Sequence, residues 1–348
     1  MEARQHQLDA ALDVALLDEV ATQYDVGQWR DVRCVGRGFR IVAEAGDYLV
    51  AVSPMGRSDA SLRFEVMLLA HLADKAFLAP RLVRTRAGRP WYRSVAGPAV
   101  LVSEWVTGGA VDAGLAQHRR QSVRTLAEYH AAIRSFSPRL RADGGPTLLA
   151  LEQKGPAALE AFAGLSGWYL DADGRQRLRS ASAYLWRQYF RLPGLLHAGG
   201  ATLPRLVIHG DFGRGAVVLD GGRPGCSVDG LVGFSKARFD VRALDLAAAL
   251  RTFARVPGGF DLDRCAELVA AYDEVDRLAP GEVEALPSIL RVERLARVFR
   301  LMSRLEEGAP ESVIYELANV VNNEAVHLRW LEAHEGALIE ALGSALVA

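Results

Sequence analysis

Five acidic side chains stand where this sequence could do chemistry. Glu65 lies in Ser61-Leu-Arg-Phe-Glu-Val-Met-Leu-Leu-Ala-His-Leu, Asp211 in His209-Gly-Asp-Phe-Gly-Arg-Gly-Ala, Asp229 in Ser227-Val-Asp-Gly, and Asp240 and Asp245 in Phe239-Asp-Val-Arg-Ala-Leu-Asp-Leu-Ala. Glu65 is three, four and seven residues from Leu62, Leu69 and Leu72, so a helix turns it toward the apolar side, where a carboxylate needs a partner. Read alone, His209 is a histidine satisfied by backbone beside a loop, and Asp229 a turn residue after a strand. Asp240 and Asp245 read as acids near a helix start, where the helix dipole favours them. Cys34, Cys226 and Cys265 are odd in number, widely spaced and without a CxxC, which argues against a disulfide framework and a thiolate metal site. Glu306, Glu307 and Glu311 read as a solvated acidic face. The aromatic residues Trp168, Tyr169, Tyr184, Trp186, Tyr189 and Phe190 fall at helical spacing that suits a core. Their chemistry also suits a flat or hydrophobic ligand better than a polycation.

The elements that must position these residues follow from periodicity. A helix is predicted over 9–24. Short β-branched runs at Asp31-Val-Arg-Cys-Val, Phe39-Arg-Ile-Val-Ala and Tyr48-Leu-Val-Ala-Val, divided by glycine turns, predict an antiparallel meander. The Glu65 helix follows and ends near Lys75, then strands at Trp91-Tyr-Arg-Ser and Ala99-Val-Leu-Val-Ser-Glu-Trp. From about residue 112 the pattern is helical, with segments near 114–135, 155–164, 175–191, 243–255, 261–277, 281–306 and 311–345. One β insertion interrupts them: Arg205-Leu-Val-Ile-His, then a hairpin of Ala216-Val-Val-Leu-Asp and Cys226-Ser-Val-Asp about Gly221-Gly222-Arg223-Pro224. With the turn centred on Gly222-Arg223, Ala216 is expected opposite Asp229.

In order and spacing these motifs resemble the aminoglycoside phosphotransferases, choline kinases and type II homoserine kinases, over roughly residues 25–255. His209-Gly-Asp resembles their catalytic loop, Ser227-Val-Asp-Gly their metal-binding Ile-Asp-Trp or Ile-Asp-Phe, Phe239-Asp-Val-Arg-Ala-Leu-Asp-Leu-Ala their Gly-Asp-Pro-x-x-Asp-Leu-Ala, and Val100-Leu-Val-Ser-Glu-Trp their hinge strand. The resemblance implies an α+β, two-lobed protein-kinase-like fold. A small antiparallel-sheet N-lobe would span 1–104 and a large helical C-lobe 105–348, the latter carrying a catalytic-loop hairpin at 205–229. It also implies roles: Asp211 would orient an attacking hydroxyl, Asp229 would hold metal, and Glu65, Ser103, Glu104 and Arg40 would meet a nucleotide. Trp168, Tyr169, Trp186 and Tyr189, with Asp211 and Asp229, would line the ligand pocket.

Against that pattern, Ala216 stands where the family has its metal-binding Asn, and Ala51 where many members have a lysine. Some relatives, homoserine kinases among them, lack that lysine. The chain has three lysines, Lys75, Lys154 and Lys236, none in the sheet. Arg40 and Arg57 are the candidates to replace it, although a planar fork differs from a point charge. Cys34-Val-Gly-Arg-Gly-Phe is shorter than the family's phosphate-covering loop and lacks its Asn.

Two functions remain. The favoured one is a degenerate kinase fold that binds a small molecule in the cleft between lobes or in a C-lobe pocket, needs no cofactor, and could give antibiotic self-resistance by sequestering a drug. The alternative is a phosphotransferase using ATP and Mg on a hydroxyl of an antibiotic or small metabolite. Charge supports either: 348 residues with net charge −1 and half apolar composition leave no footprint for nucleic acid. No apolar run is long enough to span a bilayer, and the charged start does not read as a signal peptide, so a cytoplasmic location is expected.

Overall fold

The computed structural model describes residues 15–35, 38–137, 170–200, 203–220, 227–302 and 311–347. By contacts the chain divides into two compact units: residues 1–110, 135–143 and 217–235 form one, and 111–134, 144–216 and 236–348 the other.

The first unit is built on alternation. After a helix over 15–23 (α1) come β1 (Trp29–Val35), β2 (Gly38–Ala43) and β3 (Gly46–Val52), then α2 (Asp59–Asp74), β4 (Leu82–Val83), β5 (Tyr92–Arg93) and β6 (Ala99–Glu104). The strands form an antiparallel sheet in the order β1-β2-β3-β6-β4, with β5 also on β6. Residues at every second position share a face. Phe39 and Ile41 of β2, Val50 of β3, and Val100 and Val102 of β6 bury one face under Leu16 and Val20 of α1. Each such side chain contributes about 1.5–3 kcal/mol on leaving water. Arg40, Leu49 and Ser103 are paired along the other face, as are Gly38, Ala51 and Leu101. Ser58 caps α2, its Oγ accepting from the Ser61 N–H at 3.2 Å, and Leu62 of α2 packs with Ala99 and Leu101. A three-stranded sheet completes this unit: β7 (Gly109–Ala110) and β10 (Val228–Leu231) flank β9 (Val217–Leu219).

The second unit is helical. Its elements are α3 (Ala116–Ile133), α4 (Ala172–Gly200), β8 (Arg205–Ile208), β11 (Arg238–Val241), α5 (Ala243–Phe253), β12 (Arg255–Val256), β13 (Gly259–Phe260), α6 (Leu262–Asp273), α7 (Pro280–Met302), α8 (Glu311–Ala333) and α9 (Glu335–Val347). The helical run expected over 311–345 is interrupted at His334, which gives two helices. The helix expected over 155–164 lies outside the described residues. Leu178 and Leu185 of α4, Leu295 and Phe299 of α7, and Val321 and Leu328 of α8 form one core. No helix among the described residues is long and apolar enough to cross a membrane.

Glycine at 38 is required by close approach rather than by its dihedral angles: a Cβ there would lie 2.1 Å from the Val50 carbonyl oxygen. We expect Gly38→Ala to cost about 1–3 kcal/mol, as overpacking does, read as a lower urea midpoint with an unchanged slope.

Candidate functional site: a braced loop and two occupied arginines

The loop after β8 is held by one carboxylate. Asp245, in the first turn of α5, is almost wholly buried. Its Oδ2 accepts the His209 backbone N–H at 2.6 Å and its Oδ1 the Gly210 N–H at 2.9 Å. His130 of α3 adds a third contact, Nε2 to Oδ2, at 3.2 Å. A carboxylate only accepts, so His130 carries its proton on Nε2, and its Nδ1 accepts from the Tyr272 hydroxyl at 2.6 Å. Burial alone would raise the Asp245 pKa, but the His130 contact, His209 and the Gly210 N–H outweigh it and hold the carboxyl below its usual range. Asp276 and Glu282 extend this buried network through Arg242, at 2.8 and 2.7 Å.

Gly210 lets the loop turn here. Its φ is +77°, and a Cβ would lie 2.2 Å from the Lys236 carbonyl oxygen. The turn leaves Asp211 about half exposed, with Lys236 Nζ at 2.6 Å from Oδ2. Lys236 was not among the residues singled out from sequence. Its signal was available, since it is one of three lysines and follows the hairpin, but only the fold brings it to Asp211.

In the first unit the inward Glu65 finds its partner: Arg57 Nη1 lies 2.6 Å from Glu65 Oε2. The approach is ionic, because that oxygen accepts no aligned hydrogen bond. Arg57 also donates to Ser61 Oγ at 3.2 Å and the Ser235 carbonyl at 3.4 Å. Of the two candidates for the missing lysine, Arg57 therefore pairs with the helix glutamate. Arg40 is held elsewhere, ion-paired with Asp47 and lying 4.8 Å over the Trp105 ring. Ser103 is buried and paired in the sheet between Leu49 and Leu82, while Glu104 is exposed.

The hairpin register corrects the expected pairing of Ala216 with Asp229. Val228 pairs with Leu219, but Gly230 with Val218 and Leu231 with Val217, so Asp229 is the extra residue of a bulge. Two offsets add up: Val228 opposite Leu219 is already two positions from the expected register, and the bulge at Asp229 adds one more. Asp229 instead lines a cavity of about 570 Å³ with Asp220, Glu104, Trp105, Arg81 and Phe77.

Trp186 and Tyr189 stack at 6.0 Å on α4, and Tyr189 meets Phe299 of α7 edge-on at 5.6 Å, so both pack against the helical core. Phe190 beside them is 66% exposed. Trp168 and Tyr169 lie outside the described residues, as do Gly36 and the turn at 221–226. Among the described residues, no group of three His, Cys, Asp or Glu side chains could hold a metal ion.

Asp245→Ala would leave two buried N–H groups and His130 unpaired, a loss of about 3–5 kcal/mol. Because the folded pKa is depressed, the carboxylate's contribution is fully present above its unfolded value of about 3.9 and fades as pH falls through the lower folded value. Urea unfolding at pH 7 and at successive pH values below 4 should show the gap between wild type and variant narrowing.

Residues 36–280 match the profile of the phosphotransferase enzyme family. A homoserine kinase of Methylobacterium radiotolerans is 30% identical over 283 residues, covering 80% of this chain and 81% of the relative. Two solved structures share the fold: an aminoglycoside phosphotransferase from Alicyclobacillus acidocaldarius (TM-score 0.67, 22% identity, 94% of this chain and 96% of that one) and a microcompartment-associated aminopropanol kinase (TM-score 0.68, 16% identity, 94% and 98%). With its antiparallel sheet and mostly helical remainder, the chain has a two-lobed kinase-like fold and belongs to the phosphotransferase enzyme family.

Proposed function

We propose that this chain uses the kinase-like fold to bind a small molecule, with phosphoryl transfer weak or lost. The observation that carries the reading is Ala216. In kinases of this kind an Asn of the catalytic loop and an Asp of the facing strand hold the metal ions. Five residues after Asp211 this chain has Ala216, whose methyl group offers no oxygen, and Asp229, which the family resemblance assigns to the metal, is the unpaired residue of the β10 bulge. Loss of one preorganised transition-state contact typically costs ~10²–10³ in rate. Sequestration of a ligand, including a drug to which the cell must be resistant, needs the fold but not the transfer.

A second reading, an ATP- and Mg-dependent phosphotransferase acting on a small hydroxylated metabolite, draws on different observations. Arg57 pairs with Glu65 despite Ala51, Asp211 is presented on a braced loop beside Lys236, and a relative that is 30% identical is a homoserine kinase. In that reading Asp229 would contribute a single carboxylate, with phosphate oxygens and water completing the ion's shell, as Mg often accepts.

Calorimetry and thermal unfolding with Mg-ATP separate them. The binder should give no saturable heat and no shift in Tm. A kinase at 100 times its Kd should gain about 2.7 kcal/mol, seen as a Tm raised by a few degrees, and that result would sink the first reading. The variant Ala216→Asn should acquire Mg-dependent nucleotide binding if that station is the lost ligand.

A further inference from the structure

Outside these regions, among the described residues, the charges around Arg294 are not balanced by neighbouring side chains. Arg294 of α7 is fully buried. Its Nη1 is engaged by Glu324 of α8, and its guanidinium lies 5.2 Å over the Phe260 ring. Nε and Nη2 are buried with no hydrogen-bond partner. These two atoms belong to one edge of the guanidinium, the lateral fork that takes a carboxylate by two parallel hydrogen bonds. Leaving a buried donor unmet costs about 1–3 kcal/mol, more when it is charged. The face of the group is satisfied by the ring, and the fork is not.

The neighbouring charges have the same sign. Arg297 reaches the same Glu324 at 3.9 Å and is partly exposed. Arg255 of β12 donates from Nε to His327 Nε2 at 3.0 Å. His327 Nδ1 lies 2.6 Å from the Asn323 carbonyl, which fixes the proton there and leaves Nε2 as acceptor. His327 thus supplies no negative charge, and among the described residues no carboxylate lies within ion-pair distance of Arg255. Glu293 gives Oε1 to Arg251 at 2.9 Å, while its Oε2 is buried without a hydrogen-bond partner. Among the described residues these four guanidinium groups and two carboxylates leave an excess of two positive charges around the buried fork.

We propose that Arg294, with Arg255 and Arg297, forms a binding site for the carboxylate of a small molecule. The carboxylate accepts from Nε and Nη2 of Arg294, Arg255 completes the charge balance, and half-exposed Arg297 marks the side from which the ligand enters. Its place in the second unit gives it meaning. Arg255 follows the end of α5 by two residues, and Thr252 of α5 adjoins the loop of Asp211, since a Cβ on Gly213 would meet Thr252 Oγ1 at 3.6 Å. A ligand anchored here by its carboxylate is therefore held near that loop. The site is independent of nucleotide, so it stands or falls separately from the reading above.

Thermal unfolding of the full chain tests this at constant pH and ionic strength, with sodium chloride replaced stepwise by sodium acetate, sodium malonate or sodium phosphate. Acetate and malonate should raise Tm along a saturating curve. Arg255→Gln should weaken the apparent affinity about tenfold, and Arg294→Met should abolish saturation. Glu324→Gln, which frees Nη1 as well, should strengthen it. If Arg294→Met does not fold, the opposite responses of Arg255→Gln and Glu324→Gln decide. A linear, non-saturating rise shared by wild type and variants is general salt exclusion and overturns the proposal, as does saturation with phosphate but not with either carboxylate.

Discussion

The buried carboxylate of Asp245 is the constraint on which the rest of the candidate site depends. A backbone loop that turns at a left-handed glycine leaves two N–H groups pointing inward, and buried donors must be met. Asp245 meets both, and His130 and Tyr272 hold Asp245 from the opposite side. The loop that presents Asp211 to solvent is thereby anchored to α3, α5 and α6 of the helical unit. This is how an exposed, weakly paired carboxylate can keep one position: its own ion pair with Lys236, open to water, contributes little, whereas the backbone beneath it is fixed by a network out of water's reach.

The hairpin shows the opposite economy of parts. In β9 and β10 one extra residue decides which side chain faces which, and here the bulge carries Asp229 out of ladder register. The consequence is chemical. A metal site needs hard oxygen donors converging on a point, so the register of a strand decides where its carboxylate can reach. In the first unit Ala51 has no charge to offer, and Arg57, from the segment before α2, pairs with Glu65. Membership of the family and retention of its chemistry are separate questions.

The C-terminal helices illustrate a different rule. Burying a charge is tolerated when it is paired and hydrogen-bonded, and the pairs of Arg242 with Asp276 and Glu282 meet that condition. Arg294 meets it on one side only. Two buried arginines of the same unit differ in whether their forks are filled.

By itself the sequence determined the main run of elements, an antiparallel meander followed by helices with one β insertion, and the inward placement of Glu65, because both follow from periods of two and 3.6 residues that are written in adjacent positions. It also marked Asp211, the loop glycines and the two alanines, through motifs whose spacing survives in one dimension. Only the tertiary structure decided the partners. That Arg57 rather than Arg40 meets Glu65, that Lys236 meets Asp211, and that Asp229 is a bulge residue rather than the partner of Ala216 all turn on turn length, a bulge and the approach of separate elements. Local patterning constrains which face a side chain takes; it does not constrain what arrives on that face from sequence far away, and the Ångström-scale geometry of such meetings sets the chemistry.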